Sequence, residues 1–244
     1  MLVFVGLGLC DERDLTLRGI DAIKEAEKVY AEFYTSKWLG DIKGLEKIVG
    51  KSVEVIKRVD LEENSLRILE EAKERNVVIL VPGDPLVQTT HTSLILEARK
   101  RGVETKVIHN SSIISAIAET GLHSQKFGPY VTIPFPEKTK GLIPEALVKT
   151  IKENKERGLH TLCLLDIADR CMSVKEGLEI LLKAKILAED SEVVVCSKLG
   201  SSDGKIIYGK VKELIKEEFD APSVIIILGS LHFTEKEFIS LFRL

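Results

Sequence analysis

Two periods of apolar and polar residues alternate along this chain. Short apolar runs at Leu2–Val5, Val77–Val81, Leu159–Asp166, Glu192–Cys196 and Ser223–Leu228 read as buried strands. Between them, apolar residues recur every three or four positions. Leu17, Ile20, Ile23 and Ala26 mark one helical face, with Asp21, Lys24, Glu25, Glu27 and Lys28 opposite. Val29 to Tyr34 then alternates like a strand. Asp60-Leu61-Glu62-Glu63 has the spacing of a capping box and opens a helix carrying Leu66, Leu69 and Ala72. A further helix is expected from about Thr92 to Lys100, and a strand from Thr105 to His109.

Beyond Gln125 the helices lapse at Pro129, Pro134, Pro136 and Pro144, which suggests a change of domain. A strand at Tyr130–Phe135, a polar helix through Lys149 to Arg157 and a helix from about Val174 to Lys185 follow. Gly200–Gly204 is a strong turn between Glu192–Cys196 and Lys205–Tyr208, so part of the second sheet should be antiparallel. The pattern predicts an α/β protein of two domains, 1–122 with a mostly parallel sheet and 123–244 with a mixed one.

Two loops could carry chemistry. The run Val77–Val81 stops at Pro82-Gly83-Asp84-Pro85, where two prolines stiffen a turn that bears one carboxylate. Such turns at strand ends are where α/β proteins hold ligands; the plain alternative is that Asp84 caps a helix after Pro85. The first strand runs into Gly6-Leu7-Gly8-Leu9, where a ligand can approach the backbone closely. A dinucleotide fingerprint would need a third glycine where the chain has Asp11, an anion facing the expected pyrophosphate, which argues against NAD. A third candidate is Asn110 to Ala118, whose first amides lie at a helix start after a strand; they could bind a ligand or simply be capped by Ser111 or Ser112.

Composition narrows the classes. The 244 residues are 44% hydrophobic and 30% charged, with 35 basic and 38 acidic side chains and a net charge of −3, so no nucleic-acid signature is expected. Cys10, Cys163, Cys171 and Cys196 lie far apart and without ligand spacing to the histidines, so neither zinc nor disulfides are implied. No apolar run approaches a membrane span and no basic stretch precedes the first strand; a reduced, cytoplasmic protein is the expectation.

Taken together, Gly6-Leu7-Gly8-Leu9, Pro82-Gly83-Asp84-Pro85, Ser112–Ala116 and Leu164-Leu165-Asp166 resemble the tetrapyrrole methylase superfamily over essentially the whole chain. The resemblance implies a methyltransferase that uses S-adenosylmethionine, releases S-adenosylhomocysteine and binds both in a cleft between two α/β domains. Carried onto this sequence, the cofactor contacts are Leu9, Asp84, Val87, Ser112 and Ile113, then Leu165, Leu199 and Ser223. The stretches Ala31–Thr35, Gly83–His91, Gly121–His123 with Lys126–Gly128, and Glu156–Thr161 are similar to one branch of that superfamily. In that branch the acceptor is the amino group of a 3-amino-3-carboxypropyl chain on one histidine of translation elongation factor 2. Up to three methyl groups are added, and the enzyme is a homodimer.

Methyl transfer to an amine passes positive charge from sulfur to nitrogen, so it needs alignment more than an oxyanion hole. Orientation alone can lower a barrier by roughly 7–11 kcal/mol. No residue is fixed as a base. Asp84, Glu32, Tyr34, His91 and Asp166 could orient the acceptor or take a proton, with Tyr34 and His91 favoured. Two other readings stay open from sequence: a sister methylase acting on a tetrapyrrole or ribosomal RNA, and a catalytically silent cofactor-binding module.

Overall fold

Apolar runs too long to face water on either side become central strands of a parallel sheet. In the computed structural model, which describes residues 1–244, the first such sheet is built from β1 (Leu2–Gly6), β2 (Lys28–Glu32), β3 (Glu54–Ile56), β4 (Val77–Val81) and β5 (Thr105–Ile108). Every residue of β1 and β4 is buried. The order is β3-β2-β4-β1-β5 and every pair is parallel, with β1 and β4 in register from Leu2 opposite Val77 to Gly6 opposite Val81.

The helices between these strands are α1 (Leu17–Glu25), α2 (Ile42–Val49), α3 (Arg58–Glu62), α4 (Leu66–Glu74) and α5 (His91–Lys100). They sort onto the two faces of the sheet. Ile23 of α1 and Leu45 of α2 pack with Val3, Val5 and Leu80, whereas Leu69 of α4 and Leu94 of α5 pack with Phe4 and Ile79. Alternate residues of each strand thus serve opposite cores, as a two-residue period requires.

Three local expectations need correction. Leu17 has the right period for the buried face but is exposed, because it is the first residue of α1 and lies beyond the sheet-facing turn capped by Thr16. Asp60 does not open its helix: Lys57 is the capping position, and the Asp60 carboxylate accepts the Lys57 amide at 2.8 Å from the third position. That helix stops at Glu62, and α4 starts afresh at Leu66.

By contacts the chain divides into two units, Met1–Ile114 and Ser115–Leu244. A short helix, α6 (Ile113–Ala116), spans the division. The second unit holds β6 (Val131–Ile133), α7 (Glu145–Glu156), β7 (Thr161–Leu165), α8 (Val174–Lys183), β8 (Glu192–Ser197), β9 (Lys205–Lys210), α9 (Val211–Leu214), β10 (Ser223–Ile227) and α10 (Phe233–Ser240). Its order is β6-β7-β10-β8-β9. Only β6 and β7 run parallel; the other pairs are antiparallel, and β8 and β9 form the hairpin that Gly200–Gly204 announces. Ile133, Cys163, Leu178, Leu181, Val195 and Ile225 lie in its core. No helix of the chain is long and apolar enough to cross a membrane.

Candidate active site

The topology itself singles out one place. From β1 the chain leaves for the α1 face, and from β4 for the α5 face, so these adjacent strands diverge at their carboxyl ends. In open α/β sheets, ligands settle in the crevice such a switch point creates. Here the two loops that leave it are tied together: Gly83 donates its amide to Gly8 O at 2.8 Å, and Gly8 donates to Gly83 O at 3.2 Å. Gly8 and Gly83 have φ of +81° and +69°, conformations that L side chains rarely adopt. A Cβ on Gly6 would lie 2.6 Å from Gly83 O and 2.7 Å from Asn110 Cβ. Backbone therefore packs against backbone here, and the side chains of Asn110, Pro85 and Asp14 close over the buried Gly6 and Gly8.

Asp84 organises the rim of this crevice. Its carboxylate is nearly buried, 6% exposed, and accepts the Leu86 amide at 3.0 Å, the Asn110 amide at 3.2 Å and His109 Nδ1 at 2.8 Å. The Leu86 bond is a turn within the loop rather than a helix cap; the next helix starts only at His91. Asn110 in turn donates its side-chain amide to Gly6 O at 2.9 Å and Asp14 O at 3.0 Å. The ends of β1, β4 and β5 are thereby joined through Asp84 and Asn110. The parts played by His109, Asn110 and Asp14 were not legible in the sequence, because each depends on strand order rather than on any motif.

The first five predicted cofactor residues come together in this unit. Leu9 follows the Gly8–Gly83 pair, Asp84 follows Gly83, and Val87 donates its amide to Asp84 O at 3.3 Å. Ser112 is buried, with its Cβ 3.7 Å from the position a Cβ on Gly83 would take, and Ile113 opens α6. The remaining three lie at one end of the inner strands of the second sheet. Leu165 ends β7 and Ser223 begins β10, one step beyond the Leu164–Val224 pair; Ser223 pairs with Ser197 of β8, two residues before the buried Leu199.

β4 has a second divergent neighbour, β2, whose chain leaves toward α2. At this crevice lie both favoured acceptor-side candidates. His91, 2% exposed, stacks on Phe4 and places Nε2 3.2 Å from the fully buried Glu32 carboxylate. Glu32 also accepts the amides of Tyr34 and Thr35 at 3.0 and 3.1 Å and the Thr35 hydroxyl. The Tyr34 ring stands edge-on to His91, with its hydroxyl oxygen buried and without a hydrogen-bond partner. Asp166, by contrast, is engaged structurally: it accepts the amides of Phe135 and Ile167 and the Lys138 ammonium. No group of His, Cys, Asp and Glu side chains has the arrangement of a metal site.

The donor set suits a cofactor without phosphates. A carboxylate accepts hydroxyl or cationic partners while repelling phosphate, and of the glycines only Gly83 is partly exposed. Asp84 uses three of about four acceptor positions, so one remains.

The profile of the Tetrapyrrole (Corrin/Porphyrin) Methylases matches residues 1–215, and the chain belongs to that family of methyltransferases. Within it, the chain groups with the diphthine synthases. It is 45% identical to the diphthine synthase of Methanocaldococcus jannaschii over 97% of this chain and 96% of the relative, and 43% identical to that of Methanococcus vannielii over the same shares. A crystal structure of diphthine synthase superposes with a TM-score of 0.92 at 39% identity, covering 99% of this chain and 95% of the other.

Proposed function

We propose that this methyltransferase is a diphthine synthase: it uses S-adenosylmethionine to methylate, up to three times, the amino group of a 3-amino-3-carboxypropyl chain on a histidine of translation elongation factor 2. The observation that carries this reading is the similarity, over nearly the full length of both chains, to proteins bearing that name. The crevice between β1 and β4 supports the cofactor part, since its paired glycine loops and its single carboxylate fit a ligand that bears hydroxyls and a positive charge but no phosphate.

Leu9, Asp84, Val87, Ser112 and Ile113 of the first unit, and Leu165, Leu199 and Ser223 of the second, are the residues assigned to S-adenosylmethionine and its demethylated product. The cofactor, when bound, supplies a methyl group on a sulfonium sulfur, which an amine lone pair can displace. The protein's own task is then to hold and align. Asp84 fixes the rim of the loops, the glycines let the two loops pair backbone to backbone, and alignment of the acceptor nitrogen accounts for much of the acceleration. A primary amine of ordinary basicity is mostly protonated at neutral pH, so the acceptor must lose a proton to water or to a neighbouring side chain in each round.

This reading gives elongation factor 2 as protein substrate, a second copy of the chain as partner and the cytoplasm as location. Exposed Phe233, Phe238 and Leu241 of the carboxyl-terminal segment offer apolar surface for self-association. Mass spectrometry of elongation factor 2 after incubation with the protein and S-adenosylmethionine tests the function. The factor carrying the aminocarboxypropyl group should gain up to three methyl increments and the unmodified factor none. Equal gain by both forms, or methylation of a tetrapyrrole instead, would overturn the assignment.

A further inference from the structure

A buried hydroxyl without a partner costs about 1–3 kcal/mol, so folded proteins rarely keep one unless something else uses it. In this chain only two buried side-chain polar atoms lack a partner, Tyr34 Oη and Trp38 Nε1, and both lie on the segment that leaves β2. Tyr34 is held with unusual care. Glu32, fully buried at the end of β2, accepts the Tyr34 amide, the Thr35 amide and hydroxyl, and His91 Nε2. An ionised carboxylate only accepts, so His91 carries its hydrogen on Nε2, and the ring is locked between Glu32, Phe4 and the edge-on Tyr34 ring.

The charges around Tyr34 are mixed. The Arg58 guanidinium lies 5.1 Å from the centre of its ring and is exposed, and its acidic neighbour Glu62 stands 4.0 Å away, at the outer limit of an ion pair. Glu62 is engaged instead by the Thr90 hydroxyl at 2.9 Å. Burial, and after it the Glu32 and Glu62 carboxylates, raise the Tyr34 phenol well above its ordinary range, so it keeps its proton at neutral pH. It therefore offers one donor and two acceptor positions, next to an exposed cation whose ion pair with Glu62 is long enough to be exchanged for a better-placed anion.

We propose that Tyr34 and Arg58 recognise the amino acid end of the acceptor, the Arg58 guanidinium and the Tyr34 O–H binding its carboxylate while the Tyr34 oxygen accepts an N–H of its amine, and that Glu32, acting through His91 and the Tyr34 backbone, is a positioning residue. In the first two rounds an N–H so engaged leaves the nitrogen lone pair free to form the new bond; the dimethylamine of the third round has no N–H and is held through its carboxylate alone. The assignment rests on the reading that the acceptor carries an amine and a carboxylate on one carbon.

The test uses the full chain, S-adenosylmethionine and elongation factor 2 carrying the aminocarboxypropyl group. Tyr34→Phe keeps the ring between His91 and Arg58 and removes only the hydroxyl. KM for the factor should rise about tenfold, while the calorimetric Kd for S-adenosylmethionine and the melting temperature stay at wild-type values. Arg58→Ala should raise the same KM, and Arg58→Lys should recover part of the loss. Glu32→Gln should reproduce the KM rise with unchanged cofactor affinity. A Tyr34→Phe enzyme with wild-type KM, or one that melts lower and loses cofactor, overturns the assignment; Glu32→Gln that melts lower with normal KM overturns the positioning role. A wild-type protein that leaves this factor unmethylated overturns the proposed function, and this assignment with it.

Discussion

His160 Nε2 lies 3.1 Å from Glu235 Oε1, and neither side chain reaches solvent. Because Gly229 donates its amide to His160 Nδ1 at 3.0 Å, the ring hydrogen sits on Nε2 and points at the carboxylate. Glu235 also accepts the amides of His123 and His232, at 2.8 and 2.7 Å, and the Lys126 ammonium. One glutamate thus fastens α10 to the Ser124–Lys126 turn and to the residue before β7. Removing it would strand the buried Nε2–H of His160 and two part-buried amides, and would leave the Lys126 ammonium with Ser230 O alone. Glu235→Ala should cost on the order of 3–5 kcal/mol, read as a lower midpoint in urea, and Glu235→Gln distinctly less. Equal, small losses for both would mean that water replaces the carboxylate without penalty.

The same pair sets a pH dependence. Burial pushes the Glu235 carboxyl up, but Lys126, the two amides and His160 outweigh it and hold it at about 2. Burial, against the pull of Glu235, depresses the His160 imidazole below its ordinary value. A depressed histidine favours the unfolded state once that state begins to bind protons, so its contribution is lost as pH falls below about 6.5. A depressed carboxylate contributes fully above its unfolded value and loses that contribution between about 4.5 and 2. Stability should therefore fall in two stages on acidification, and Glu235→Gln should flatten the lower one. Urea midpoints measured from pH 7 to pH 3 would show this; a curve that stays level to pH 4 would contradict the first stage.

Asp84 also has a structural part to play, separate from its proposed contact with the cofactor. Two of its donors, His109 and Asn110, tie the end of β4 to the end of β5, so Asp84→Ala should cost about 1–3 kcal/mol of stability by leaving the Leu86 and Asn110 amides without their acceptor. It should also weaken S-adenosylmethionine binding by about tenfold or more. Calorimetry below the melting temperature separates the two effects. Normal affinity in a destabilised variant would make Asp84 a loop fastener alone.

Much of this was readable beforehand, and the rest has physical reasons for having been hidden. The runs at Val77–Val81 and Leu2–Val5 are apolar on both faces, so their burial followed from composition alone. The hairpin of β8 and β9 followed from Gly200 and Gly204. The helix α2 and the strand β3 escaped notice, although Asp41, whose carboxylate accepts the Gly44 amide, and Gly50 at φ +67° bracket α2 in the manner of ordinary caps. Glu32 and His91 are 59 positions apart, and only the placement of β2 beside β4 brings them together. Motifs gave the loops; strand order gave the contacts between them.

The last residue of β1 packs directly against the loop that follows β4. Gly6 is fully enclosed: a methyl group there would meet Gly83 O, Asn110 Cβ and Pro85 Cδ at 2.6, 2.7 and 3.1 Å. Two of these neighbours belong to the β4 loop, so the methyl would push that loop away and stretch the Gly8–Gly83 hydrogen bonds. Gly50, at the end of α2, has nothing within 4 Å of the place its methyl would take and suffers only from its positive φ. Gly50→Ala should therefore cost roughly 1–2 kcal/mol and leave cofactor affinity unchanged. Gly6→Ala should cost about 1–3 kcal/mol through overpacking and, unlike Gly50→Ala, should also abolish or strongly weaken S-adenosylmethionine binding, because the displaced loop carries Asp84 and Val87. Matched affinities for the two variants would show that the spacing of these loops is irrelevant to the cofactor.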